Sequence, residues 1–389
     1  MDKKIMSING WKACLLGDVL TFQRGHDLPK TKMICGEYPV VGSNGIIGYH
    51  NEYTTEAPSV TVGRSGNTGN PFIVYDQSWS HNTTLYVKEF KNSDPVFVYY
   101  LLKTLDLGNF SGGSAVPTLN RNHIHSLEIS VPPFSEQIEI GRTLKLLDDK
   151  IANNTAINHH LEQMAQAMFK SWFVDFEPFG GKIPTDWREG TLGEYCSIKS
   201  GFAFKSSWWQ EKGIRVIKIK NITDGTFDFS DCSFVSDDKI FYAKNFIATP
   251  GDLLIAMTGA TIGKFAIIPQ HDETLLVNQR VGKFFLGVNP LEKLPFLWGF
   301  LKQDGVFNEI VNRGQGSAQP NISPTDIMTI PAIIPLDDTL ADFNSNLRAC
   351  FEIMTTNTAE NQKLATLRDT LLPRLMSGEL SVADLGDAK

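Results

Sequence analysis

Hydrophobic positions along this chain follow two periods, and the change from one to the other divides it. Short runs rich in β-branched and aromatic residues (Tyr38–Val41, Val60–Val62, Thr84–Val87, Gly213–Lys220) alternate with Gly, Asn and Asp turns and predict strands. One helix-like run interrupts the strands in each half, around Asp94–Leu105 and Leu291–Gln303. The period then lengthens. Ile140, Leu144, Leu147, Ile151, Asn154, Asn158, Leu161, Ala165, Met168 and Trp172 step by four and three, the spacing of a coiled-coil seam. The series returns 203 residues later as Phe343, Leu347, Cys350, Met354, Asn357, Asn361, Leu364, Arg368, Leu371 and Leu375. Ser135, with Glu136 and Gln137, offers a start for the first helix, and Pro178 and Pro373 fall near the two ends.

The strand-rich stretches repeat as well. Trp11, Leu16, Gly17, Asp18 and Gly25 recur 176 residues on as Trp187, Leu192, Gly193, Glu194 and Gly201. Gly113-Ser114-Ala115-Val116-Pro117 recurs 203 residues on as Gly316-Ser317-Ala318-Gln319-Pro320, with Ile124 matching Ile327 and Pro132 matching Pro335. The unequal displacements place extra loop residues in the second copy. A repeat of nearly half the chain is one duplicated unit, not a solenoid. It predicts an α/β (α+β) fold of two duplicated domains with pseudo-two-fold symmetry, separated by two long antiparallel coiled-coil helices. The expected boundaries are 1–134, helix 135–178, 179–336, helix 337–378 and a tail at 379–389.

Composition adds exclusions. With 42% hydrophobic and 20% charged residues the chain reads as an ordinary globular protein. Met1–Gly10 is polar with no apolar run behind it, and the longest apolar run, Val96–Leu102, is too short to span a bilayer, so a cytoplasmic location is expected. Five cysteines form no CxxC pair and suggest neither a zinc ribbon nor a disulfide framework. The net charge of −7 is unevenly spread. Residues 1–134 carry 11 basic and 11 acidic side chains and 179–336 carry 16 of each, so the acidic excess lies wholly in 135–178 and 337–389. Any basic surface must come from local clustering, and binding of the lone chain to arbitrary DNA should be weak.

Strings that suggest an enzyme fail on chemistry. Gly259-Ala260-Thr261-Ile262-Gly263-Lys264 is one residue short of a P-loop, and Phe265 stands where a magnesium-binding hydroxyl is needed. Val131-Pro132-Pro133-Phe134 is similar to an amino-methyltransferase loop, but valine cannot accept a hydrogen bond from a target amino group. His123, His125, His159 and His160 have no carboxylate or thiol at ligand spacing, so no metal is expected. Asp148-Asp149 reads as a solvated helix face. No catalytic residue is assigned.

The duplicated unit, the string Gly-Ser-Ala-Val-Pro-Thr-Leu at 113–119, and Val-Pro-Pro-Phe-Ser-Glu-Gln-Ile at 131–138 leading into a long helix together resemble Type I restriction–modification specificity subunits. The second copy departs from the pattern, with Ile334-Pro335-Leu336-Asp337-Asp338 at the corresponding place. The resemblance implies two target-recognition domains, each reading one half of a split asymmetric site on double-stranded DNA. It also implies two methyltransferase subunits as partners, and two restriction-translocation subunits in the larger complex. S-adenosylmethionine, ATP and magnesium would belong to those partners, with no cofactor in this chain. Two other functions stay open on the residues alone: a coiled-coil scaffold without a DNA role, and a fused methyltransferase–specificity enzyme.

Reading DNA requires donors and acceptors on base edges and cations on phosphates. Candidates in the first domain are Arg24, His26, Lys30, Lys32, Ser43, Asn44, Arg64, Asn67, Thr68, Asn70, His81 and Asn82. In the second they are Lys199, Lys205, Lys218, Lys220, Asn221, Thr258, Thr261, Lys264, Asn278, Gln279 and Arg280. The clusters Gly63–Asn70, Met257–Lys264 and Asn278–Arg280 weigh more than their members. Trp208-Trp209 fits a core or interface role better than base stacking.

Overall fold

The computed structural model describes residues 10–112, 117–223, 225–229, 231–315 and 320–386. The chain forms two compact units, Met1–Lys150 with Leu364–Lys389, and Ile151–Lys363. The long helices, Phe134–Phe173 and Asp337–Met376, each contribute a segment to both units.

In unit 1, Thr21–Arg24, Thr84–Glu89, Ser59–Gly63 and Pro71–Val74 form an antiparallel sheet in that order. The central strand Ser59–Gly63 is buried at every position, which explains why it reads as a continuous run and not as an alternation. A second sheet places Tyr38–Gly42 between Gly45–His50 and Trp79–Ser80. The helix Pro95–Thr104 starts on Asp94, whose carboxylate accepts from Phe97 N at 2.8 Å, and buries Phe97, Val98 and Leu101. Ile140 and Leu144 from the first long helix, and Leu371 and Leu375 from the second, complete this core.

Unit 2 repeats the design. Ser197–Ser200, Val281–Phe285, Leu253–Ala256 and Phe265–Ile267 form the first sheet in the same order. Ile214–Ile217 is an inner strand of the second sheet, which has four strands here, again with one parallel neighbour, Leu275–Val277. The pairing is equivalent from Phe22 and Ile198 onward, with Arg24 opposite Leu85 and Ser200 opposite Gly282; a bulge at Thr21 in unit 1 has no counterpart in unit 2.

Close backbone approach explains the repeated glycines. A methyl group on Gly25 would lie 2.1 Å from the carbonyl oxygen of His81, and one on Gly201 would lie 2.4 Å from that of Val277. Gly17 and Gly193 similarly face the carbonyls of His125 and Met328, both at 3.1 Å. Leu16 and Leu192 are wholly buried beside them. Gly201→Ala is therefore expected to lower stability by about 1–3 kcal/mol through overpacking against backbone. Thermal unfolding checks this, and an unchanged midpoint would mean that the loop yields without cost.

The long helices pair antiparallel, as a duplicated unit that pairs its equivalent surfaces predicts. In unit 2 the Asn154 amide donates to Asn361 Oδ1 at 3.0 Å, and that of Asn357 donates to Asn158 Oδ1 at 2.9 Å. Asn154 also donates to Glu360 at 2.7 Å, and Asn158 to the Met354 carbonyl at 3.2 Å. These amides fix which residues face each other, because a slipped pairing would strand them.

The structure departs from several expectations. The first helix begins at Phe134, and no Ser135 cap starts it. Gln137 instead ties the turn together, donating to the Pro132 carbonyl and accepting from Asp94 N, both at 3.0 Å. Pro373 lies inside the second helix, which continues to Met376 and ends where Gly378 takes φ +71°. Asp148 is half-buried and partnered, accepting from the Tyr100 hydroxyl at 2.6 Å and ion-pairing with the seam residue Arg368 at 2.6 Å, while Asp149 is exposed. The buried stripe is also wider than a two-helix seam, since Phe169 and Phe351 are buried off it. The residues read as a tail turn back, with Leu380, Val382 and Leu385 packed on the core of unit 1.

Candidate nucleic-acid interface

In each unit four loops distant in sequence meet at the end of the first sheet, held by the same backbone hydrogen bonds. In unit 1, Gly25 N donates to Thr84 O (3.0 Å), Arg64 N to Thr83 O (2.8 Å) and Leu119 N to Arg64 O (2.8 Å). In unit 2, Gly201 N donates to Val281 O (2.9 Å), Met257 N to Arg280 O (3.1 Å) and Ile322 N to Met257 O (3.0 Å). The bridges His26–His81 and Phe202–Asn278 also correspond, as do Ser65–Thr118 and Thr258–Asn321. Each junction opens into a cleft. That of unit 1, about 360 Å³, is lined by Arg24, Arg64, Thr118, Asn120 and Arg121 over Leu85 and Leu119. That of unit 2, about 610 Å³, presents Ser200, Thr258, Gln279, Arg280, Asn321 and Ser323.

Among the candidates in unit 1, Arg24 and Arg64 line the cleft, and Arg24 also makes a loose 3.4 Å contact with Asp27. Asn82 donates to the same Asp27. His81 turns inward, its Nδ1 3.0 Å from Thr83 Oγ1, and His26 packs between Trp79 and Tyr86. Ser43 donates its backbone N–H to Thr83 Oγ1 at 3.3 Å, while Asn44 stands exposed at the hairpin tip. Asn67 and Asn70 bond to each other, and Thr68 and Asn70 line a separate, smaller cleft. Lys30 and Lys32 are exposed on a short turn outside both clefts.

In unit 2, Thr258, Gln279 and Arg280 line the cleft. The hydroxyls of Thr258 and Thr261 are buried with no hydrogen-bond partner among the described residues. Asn278 braces the loop, its Oδ1 accepting from Arg280 N at 3.4 Å, and Lys264 is half-buried on the neighbouring turn. Asn221 is buried and structural: it accepts from Lys218 N at 2.9 Å and donates to the carbonyls of Asp228 and Asp231. Lys220 pairs with Asp231. Lys199 covers the Phe285 ring, and Lys205 and Lys218 cover Trp208 and Trp209, at 5.4, 5.6 and 3.7 Å. The lysine 3.7 Å from the Trp209 centroid has its pKa pushed down by burial and by Lys220. Both tryptophans are half-buried against Phe202 and Phe204.

Sequence reasoning missed Asn120, Arg121, Asn321 and Ser323. The only signal near them was the repeated Gly-Ser-Ala-x-Pro string, whose residues 113–116 and 316–319 lie outside the described residues. Asn120 and Ser323 begin equivalent helices, accepting from Asn122 N at 3.0 Å and from Asp326 N at 3.1 Å. His125 is half-buried beneath, accepting from Phe22 N at 3.0 Å. Burial, with Lys91 and Arg121 nearby, pushes its pKa down and favours the neutral ring that can accept. Gly259–Thr261 forms a helical turn, and Val131–Phe134 is a strand-to-helix junction. Among the described residues no cluster of His, Cys, Asp and Glu could hold a metal, and no helix is long and apolar enough to cross a membrane.

Two units of one α+β design, each including a segment of both long helices and each opening a cation- and amide-lined cleft, define a duplicated recognition architecture. Residues 8–163 and 184–362 match the model of the Type I restriction modification DNA specificity domain, and the chain belongs to that family of DNA-specificity subunits. It is 28% identical over 307 residues to the MjaIX Type I restriction enzyme specificity subunit of Methanocaldococcus jannaschii, covering 74% of this chain and 70% of that one. It is 25% identical over 356 residues to the HindI specificity subunit of Haemophilus influenzae, covering 74% and 77%. The crystal structure of a Type I restriction–modification S subunit from M. genitalium shares the fold, with a TM-score of 0.68 at 18% identity over 96% of this chain and 98% of that one.

Proposed function

We propose that this chain reads a split, asymmetric site on double-stranded DNA, one half with each unit, and carries no catalysis of its own. The observation behind this reading is that the two clefts share a backbone scaffold while their side chains differ. One scaffold with two sets of recognition groups suits two different half-sites. Chemistry on the DNA belongs to partners: two methyltransferase subunits using S-adenosylmethionine, and two ATP- and magnesium-dependent restriction-translocation subunits in the full cytoplasmic complex. Both recognition segments are neutral overall, so such partners would supply much of the attraction to phosphate.

Expression of the chain with its methyltransferase subunit, in cells lacking other adenine methylation, should give methylated adenines at one bipartite asymmetric motif. Genome-wide mapping of methylated adenine reads this directly. A contiguous motif, or the same motif without this chain, would overturn the proposal.

A further inference from the structure

We infer that the two clefts read different bases: Arg64 and Arg121 of unit 1 read guanine, and Gln279 and Asn321 of unit 2 read adenine. This rests on the proposed function and assigns base chemistry to each half-site. The shared hydrogen bonds and strand pairings align the clefts residue by residue. Arg24 corresponds to Ser200, Arg64 to Met257 and Arg121 to Pro324, so all three guanidinium groups of the first cleft are absent from the second. In the opposite direction, Thr83 corresponds to Arg280 and Thr118 to Asn321, while Asn82 is matched by the longer amide Gln279. The second cleft is thus amide-rich with one guanidinium, and the first is guanidinium-rich.

Pairing and position together separate Arg64 and Arg121 from most other arginines. Arg24 contacts Asp27, and Arg142, which also has no ion pair among the described residues, is exposed on the first long helix outside both clefts. Arg188, Arg215, Arg313, Arg348, Arg368 and Arg374 each ion-pair with a carboxylate. Arg64, Arg121 and Arg280 have no ion pair among the described residues, and all three line a cleft. A guanidinium without a carboxylate keeps its fork of donors for a ligand that offers two acceptors side by side. Guanine O6 and N7 do so in the major groove. A side-chain amide instead donates and accepts at once, which matches N7 and N6 of adenine. The Thr258 hydroxyl at the wall of the second cleft, buried with no partner among the described residues, also suits a ligand offering both kinds of group. The apolar floor of the first cleft, Leu85 and Leu119, favours the edge of a base over a hydrated phosphate.

The test maps methylation by the chain together with its methyltransferase subunit, comparing wild type with Arg64→Gln, Arg121→Gln and Asn321→Ala. Each arginine variant should relax one guanine position of the same half-site, raising methylation of sites altered there roughly ten- to hundred-fold relative to the intact motif. Asn321→Ala should relax an adenine position in the other half-site only. Uniformly weaker methylation with every base requirement intact, and a salt dependence shallower by about one charge, would mark Arg64 and Arg121 as phosphate contacts and overturn the assignment. Relaxation at a base other than guanine would do the same. Arg121 is exposed, so its variant keeps the test valid if Arg64→Gln fails to fold. Failure of the proposed function is distinct, because wild type itself would then give no bipartite motif.

Discussion

Inserting one heptad into each long helix, after Ile157 and after Glu360, is expected to lengthen the gap between the half-sites by about three base pairs. Seven helical residues add ~10 Å, and DNA advances ~3.4 Å per base pair. The helices have 40 residues each, and both insertion points fall inside the asparagine layers, between Asn154 and Asn158 and between Asn357 and Asn361. In an antiparallel pair, equal insertions at these points keep Asn154 opposite Asn361 and Asn158 opposite Asn357. A heptad also preserves the phase of the seam. Four residues would add only ~6 Å and turn the stripe out of phase, so that variant should lose stability and activity. Methylation mapping of the heptad variant should recover both half-site sequences with only the gap changed. An unaltered gap, or new half-site bases across an old gap, would show that helix length does not set the spacing.

Lys283→Met should lower the stability of unit 2 by about 3–5 kcal/mol, the cost of leaving a buried charge without its partner. Lys283 and Asp252 ion-pair with side chains only 10% and 4% exposed. The ammonium also donates to the Ile247 carbonyl at 2.6 Å, and Asp252 accepts from the backbone and hydroxyl of Thr249 at 2.7 and 2.9 Å. In unit 1 the equivalent positions are the neutral Ser59 and Tyr86, so the fold does not require an ion pair there. The double variant Asp252→Ser with Lys283→Tyr should therefore recover a large part of the loss. Urea unfolding of Asp252→Ser, of Lys283→Tyr and of the double that combines them gives the coupling energy. A Lys283→Met cost below ~1 kcal/mol, or a double variant as unstable as the sum of the singles, would contradict this account.

The long helices were legible because a seam period is local: each position is set by its neighbours three and four residues away. Their extra buried residues were not, because Phe169 packs on Gly299 and Phe351 on Trp298, contacts that no helical period contains. Asp148 misled for the same reason. Its spacing places it on a polar face, but Tyr100 and Arg368 reach it from other elements. Asn221 looked like a recognition residue in a polar stretch, yet its amide closes a loop.

By itself the amino-acid sequence determined the duplication, the antiparallel asparagine layers and the places where glycine is obligatory, because each recurs at a constant displacement in one chain. Only the tertiary structure decided which polar residues form a surface. The clefts join residues near 24, 64, 82 and 120 in unit 1, and near 200, 258, 280 and 321 in unit 2. No local period links those loops. Strand pairing brings them together, and packing then decides whether an arginine meets a carboxylate or faces the cleft unpaired.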